Sequence, residues 1–377
     1  MKVNQRGEGS GRQSSPVVLW TIILMAVGLS LLFSGAAQAQ LSFTNVASGK
    51  WTVSTVWGVN APDGGSNDYT IVFTNTLPDL SSNNLANPFQ LNQLIFAPPA
   101  QPVTLSSNGL QFSFSTSNGT LPQVLQNSTN DMTINVNIGL DTNITFAGTG
   151  SGGVTVNGAI SGSYRLTKSG SYILTLTTNN SYSGGTVINN GAVAFTATNR
   201  APQSGTITVN SSGSVWFQDG NVPPQLDKSS AGGLAVGTGA GSTNYDFSTS
   251  GLSNMALVAA QTLTNDYPLT PSGNEYRIGA LSGTTFTYTN QLTGAYSLNI
   301  GPGGGTVVLT NFSNTFTGST TIRDGTVLLI IADNNIGAGN TNLILSSGGT
   351  LWVAGSFTLN NRPVTVNASG GGINVDG

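Results

Sequence analysis

The chain has 377 residues, with 11 Lys and Arg against 14 Asp and Glu, a formal net charge of −3, and charged side chains at only 7 % of positions. It has no His and no Cys, which excludes His-dependent catalytic triads, His- or thiolate-ligated metals and a disulfide framework. Eleven basic residues, three of them before position 13, cannot line a nucleic-acid groove.

Residues 1–39 read as an export leader. Lys2, Arg6 and Arg12 make a positive start, Val17 to Phe33 is uncharged and mostly apolar, and Ala37-Gln38-Ala39 fits the small-residue cleavage pattern, so cleavage is expected after Ala39. The competing reading is an uncleaved anchor, but the run is shorter than the roughly 20 residues a membrane-spanning helix needs. No second long apolar run follows, so no integral span is expected after cleavage. Removing the leader takes away three basic residues and Glu8, leaving 8 basic against 13 acidic residues, with Glu275 the one Glu.

Residues 40–150 are expected to form an N-terminal cap and the first coils of a stack. Trp51 and Trp57 could stack on sugars, but covering the first coil is the better use of two large rings. Asp63 and Asp68 flank a Gly-rich loop without the ligand order of a calcium loop, so no metal site is assigned there. Met132-Thr133-Ile134-Asn135-Val136-Asn137-Ile138 alternates apolar and polar residues, the signature of a strand with one buried face. Similar short runs recur at Ile173 to Leu176, Thr206 to Val209, Thr306 to Leu309 and Leu343 to Leu345, each bounded by Gly, Asn or Ser. The prediction is an all-β chain of many short strands and tight turns. Disorder is disfavoured by abundant Val, Ile and Thr and by the small net charge.

Residues 151–217 and 292–377 form two copies of one unit, separated by an irregular β segment at 218–291. Tyr182-Ser183-Gly184-Gly185-Thr186-Val187-Ile188-Asn189-Asn190-Gly191-Ala192-Val193 returns as Phe316-Thr317-Gly318-Ser319-Thr320-Thr321-Ile322-Arg323-Asp324-Gly325-Thr326-Val327. In this comparison Ile188/Ile322 and Val193/Val327 are expected to face inward. Gly184/Gly318 and Gly191/Gly325 are expected at corners of positive φ. Tyr182/Phe316 is expected to be a packing ring, and Thr186/Thr320 to stack on its equivalent in the next coil. Such a unit cannot close its own core and must be covered by its neighbours, as in a solenoid. At about 20 residues per coil and about 4.8 Å between coils, the chain after the leader would make on the order of 15 coils and a rod of about 70 Å.

The first block, Leu166-Thr167-Lys168-Ser169-Gly170 followed by Asn180-Ser181-Tyr182-Ser183-Gly184-Gly185-Thr186-Val187-Ile188-Asn189-Asn190-Gly191, resembles the autotransporter-associated β-strand repeat family. The second departs from that pattern, with Leu298-Asn299-Ile300 for the L-T-K start and Ser319 for the second Gly. The resemblance implies a right-handed parallel β-helix in an exported bacterial protein, secreted or held at the outer cell surface, where such a passenger precedes an outer-membrane barrel. The sequence reaches Gly377 within a repeat-like segment and without a barrel-like ladder of strands, so the expectation is either a fragment of a longer polypeptide, the favoured reading, or a chain secreted without a translocator of its own.

The leading functional expectation is therefore a non-catalytic structural or adhesive rod, whose partner would be a polysaccharide or a host or neighbouring surface. The alternative is a carbohydrate-binding or polysaccharide-degrading β-helix. Its chemistry would draw on Asp219, Asp227, Lys228, Asp246, Asp266, Glu275 and Arg277, which are scattered and lack the paired carboxylates that glycoside hydrolysis uses. Gly301-Pro302-Gly303-Gly304-Gly305 lacks the Lys and helix of a phosphate loop. No catalytic, cofactor-binding or metal-ligating residue is assigned; any binding is expected in loops of 218–291.

Overall fold

A computed structural model describes residues 40–98, 100–237 and 245–376. The leader and its cleavage site lie outside the described residues. The described residues form a parallel β-solenoid of about 14 turns. Among the described residues every pairing between strands is parallel, and the strands form sheets of 21, 4, 2 and 6 members.

The first turns have three faces. Tyr69–Phe73, Asp79–Asn83 and Phe89–Leu91 make one turn, and Gln93–Phe96, Val103–Ser107 and Gln111–Phe114 the next. Thr70 pairs with Gln93, Asp79 with Val103 and Phe89 with Phe112. The alternation read from the sequence explains the core. Ile71, Phe73, Leu94, Phe96, Val124, Ile144 and Phe146 all point inward and are completely buried, each contributing about 1.5–3 kcal/mol of transfer free energy. Like rings stack along the axis, Phe73 on Phe96 and Phe195 on Phe217, both with centroids 5.6 Å apart.

The turns between strands are stitched by Asn ladders. Asn135 accepts a bond from Asn157 at 2.8 Å, 22 residues on, and Asn137, Asn143 and Asn127 each accept the backbone N–H of a residue 22 positions later. These side chains occupy corners where the backbone leaves the ladder, and their amides replace the missing pairing.

From Thr186 the architecture changes. Thr186–Phe195 and Ile207–Phe217 run through the corner as single long strands, with a register shift between Ile188 and Asn190. Beyond the corner they are buried on both sides. Val193, Phe195, Val215 and Phe217 face the main core, while Ala192, Ala194, Trp216, Ala235 and Val258 form a second, smaller apolar cluster. Unbroken apolar runs such as Met255 to Ala260 suit a strand covered on both faces. Glu275–Ala280 then carries the same sheet across a stagger. Its end pairs with Ala256–Ala259, and its beginning pairs with Ser297–Ile300 and so leads into the second repeat block.

Three details of the repeat comparison are corrected. Val327 is only half-buried and Leu328 takes the inward place, because the second copy inserts one residue after its corner. Gly184 and Gly318 do not have positive φ, unlike Gly191 at +65° and Gly325 at +68°. They are glycine because the preceding coil passes too close: a Cβ would lie 2.3 Å from the backbone of Tyr164 and 2.5 Å from that of Ser297 respectively. Thr186 and Thr320 do not stack on threonine. Thr186 pairs with Leu166 and Ile207, and Thr320 with Leu298 and Leu343. The Thr186 hydroxyl instead meets the Tyr182 hydroxyl at 2.7 Å. Tyr182 and Phe316 are completely buried packing rings.

Candidate functional site

The irregular segment contains a recess of about 290 Å³ between the end of Ile207–Phe217, the strand Gly233–Val236 and the chain from Tyr245 to Leu252. Stacking brings these pieces together, since Val215 pairs with Leu234 and Trp216 with Ala235. Phe217, Val236, Phe247 and Leu252 form a buried apolar floor, and Leu234 and Tyr245 are half-buried beside it. Val222, on the turn above, is 40 % exposed.

Asp219 and Asp246 also line the recess. Asp219 accepts the Thr198 N–H and hydroxyl, both at 2.7 Å, and the Asn221 N–H at 3.2 Å. Burial opposes its charge, but these bonds outweigh it and hold the carboxyl below the usual range. Asp246 accepts the Ser248 hydroxyl at 2.6 Å and N–H at 2.8 Å, with the Thr249 N–H at 3.1 Å. The Ser248 hydroxyl is the largest cause that lowers Asp246 to about 2. Lys228 reaches the rim by donating to the Ser250 carbonyl at 2.8 Å.

The other sequence candidates stay apart from this recess. Asp227 closes a local turn by accepting the Ser229 N–H at 2.9 Å and hydroxyl at 2.8 Å. Glu275 and Arg277 pair with each other at 2.8 Å along one strand. Asp266 is exposed and its carbonyl takes a bond from Asn290. Asp63 is held below the usual carboxylate range chiefly by the Tyr69 hydroxyl, while Asp68 is buried with one oxygen unpartnered. Trp51 is completely buried, packed edge-on to Trp57 and Phe89 and bonded through Nε1 to Ser81 at 2.7 Å. Neither Trp51 nor Trp57, which is 4 % exposed, offers a face to a sugar.

Sequence reasoning passed over a lysine inside the solenoid. Lys168 is completely buried. Its Nζ donates to the Gly170 carbonyl and, at 3.4 Å, to that of Asn190, and it lies 3.9 Å from the centre of the Tyr172 ring. Burial pushes the amine down to about 7. The signal was present: alternation in Leu166-Thr167-Lys168 places Lys168 on the side of Leu166. In the second copy the same place is held by Ile300, also completely buried.

A second furrow runs along the corner where Asn189, Asn190 and Ser212 approach Ser282, Asp324 and Ser347. Among the described residues, no group of three or more acidic side chains is placed to hold a metal ion, and no helix is long and apolar enough to cross a membrane.

The passenger-associated-transport-repeat family model matches residues 166–195 and 303–329. The first match runs from the Leu166-Thr167-Lys168 strand through the long strand ending at Phe195; the second covers the Gly-rich corner and the strands up to Leu329. The chain thus carries two copies of a repeat associated with autotransporter passengers, and that family suggests an extracellular or surface protein. No curated protein and no solved structure matches the chain.

Proposed function

We propose that the chain is an exported, passenger-like β-helical rod with a structural or adhesive role, secreted or held at the outer cell surface, and without catalysis. The observation that carries this reading is the pair of passenger-associated repeats set in one continuous parallel stack. The physics suits the role. Backbone ladders join each turn to the next, and like side chains repeat in register along the axis. Few charges are tolerable in such a stack, because equivalent positions lie about 4.8 Å apart and would repel. Loops can then vary without disturbing the ladder, and these would meet a polysaccharide or a neighbouring or host surface.

Export is tested by treating intact source cells with protease and sequencing the N-terminus of the mature chain. The expected results are loss of the protein from intact cells or its recovery in the medium, and a mature chain starting at Gln40. Retention inside the cell with residues 1–39 intact refutes the proposal. The non-catalytic part is tested on a polysaccharide panel: turnover that disappears in Asp227→Asn or Glu275→Gln would overturn it.

A further inference from the structure

The recess at Phe217 combines open space, partly exposed apolar surface and two carboxylates that no ion pair among the described residues neutralises. We propose that it binds a small organic cation, an amino-acid-sized apolar or aromatic body bearing a protonated amine, with the body against Phe217, Leu234 and Phe247 and the nitrogen towards Asp246 and Asp219. At about 290 Å³ it sits near the lower end of the roughly 300–1,000 Å³ range of small-molecule pockets. Val222 is 40 % exposed and Leu234 and Tyr245 are only half-buried at its edge, so a ligand's apolar body would remove this surface from water.

Charge selects the polar end. The ion pairs among the described residues join Arg277 to Glu275, Arg323 to Asp324 and Arg362 to Asp333. None of them neutralises Asp219 or Asp246. At the rim the single Lys228 amine is tied to the Ser250 carbonyl and, among the described residues, makes no ion pair. Both carboxylates are held ionised by hydroxyl and N–H donors of their own turns. An anion would be repelled here, and a neutral sugar would set its hydroxyls against the apolar floor without partners. An ammonium group on an apolar body satisfies both parts of the wall.

The test uses the full chain and two probes of one shape, phenethylammonium and 2-phenylethanol, followed by calorimetry and saturation-transfer NMR. The amine is expected to bind at least about 10-fold more tightly than the alcohol, the discrimination of one charge-assisted hydrogen bond. Asp246→Asn retains an acceptor for Ser248 and Thr249, and is expected to remove that discrimination while the alcohol binds as before. Val222→Trp fills the recess from its exposed turn and is expected to abolish binding of both. Equal affinity for the two probes, no binding of the amine at about 10 mM, undiminished binding in Val222→Trp, or preference for a neutral disaccharide would each overturn the assignment.

Discussion

Gly191 and Gly325 are matched by the sequence comparison of the two repeat copies and have nearly the same φ, +65° and +68°, although Gly191 lies within the strand Thr186–Phe195 and Gly325 in the turn before Val327. Their surroundings differ. A Cβ on Gly191 would stand 2.4 Å from the Gly170 carbonyl oxygen, 2.5 Å from that of Tyr172 and 2.8 Å from the Lys168 amine, whereas one on Gly325 would meet nothing within 4 Å. Alanine at either site incurs the left-handed backbone cost of about 1–2 kcal/mol. At Gly191 it also overpacks a corner that cannot give way without breaking the ladder, which adds about 1–3 kcal/mol. Gly191→Ala is therefore expected to lose about 2–5 kcal/mol and Gly325→Ala about 1–2 kcal/mol. A solenoid need not unfold in one step, so the loss is best read locally, by native-state hydrogen exchange of amides in Ile188 to Phe195 and in Leu328 to Ile330. Trp216 fluorescence gives a second reading beside the first corner, since Trp216 pairs with Ala194. Equal losses in the two variants would refute the reasoning, because crowding by the preceding coil is the only difference invoked.

Lys168 gives a pH signature. Its folded value of about 7 lies below the ordinary 10.5, so the unfolded chain binds more protons between those values and stability is expected to rise with pH from about 7 towards 10. Exposure of Tyr172 and Tyr182, whose hydroxyls burial pushes up, reverses the trend above about 10, where the unfolded tyrosines ionise first. Lys168→Met, which imitates Ile300 of the second copy, is expected to flatten the rise in urea melts between pH 7 and 9.5; an unchanged slope would assign it to another group. Asp79 is buried with one oxygen unpartnered, and burial pushes its carboxyl up. Asp79→Asn is expected to stabilise the chain at pH 7 by about 1 kcal/mol in the same melts, and destabilisation there would contradict this reading. Arg362 is buried against the Asp333 carboxylate at 2.6 Å and donates to the Gly337 carbonyl at 2.7 Å. Arg362→Met is expected to cost about 3–5 kcal/mol by leaving Asp333 unpaired, and adding Asp333→Leu to recover part of that loss; additive losses in the double variant would show that the pair does not act as a unit.

Much of this architecture was written in local sequence. Alternation chose which side of each strand was buried, Gly and Asn marked the corners, and self-comparison found the two repeat copies without any knowledge of their contacts. Even the buried Lys168 follows from alternation once Leu166 is placed inward. Other features have no local signal. Gly184 and Gly318 looked like turn glycines, yet the backbone of Tyr164 or Ser297 in the preceding coil is what requires them. Val327 looked inward until the second copy's extra residue moved Leu328 into that place.

The recess at Phe217 depends wholly on stacking. Phe217, Leu234 and Phe247 are far apart in the chain, and only the pairing of successive turns sets them around one space with Asp219 and Asp246. The sequence by itself determined a parallel repeating stack, because strand period and corner residues act over a few positions. Tertiary structure decided which coil crowds which corner and where a cavity opens, because those depend on register between segments about 20 residues apart, and a shift of one residue exchanges every inward side chain for an outward one.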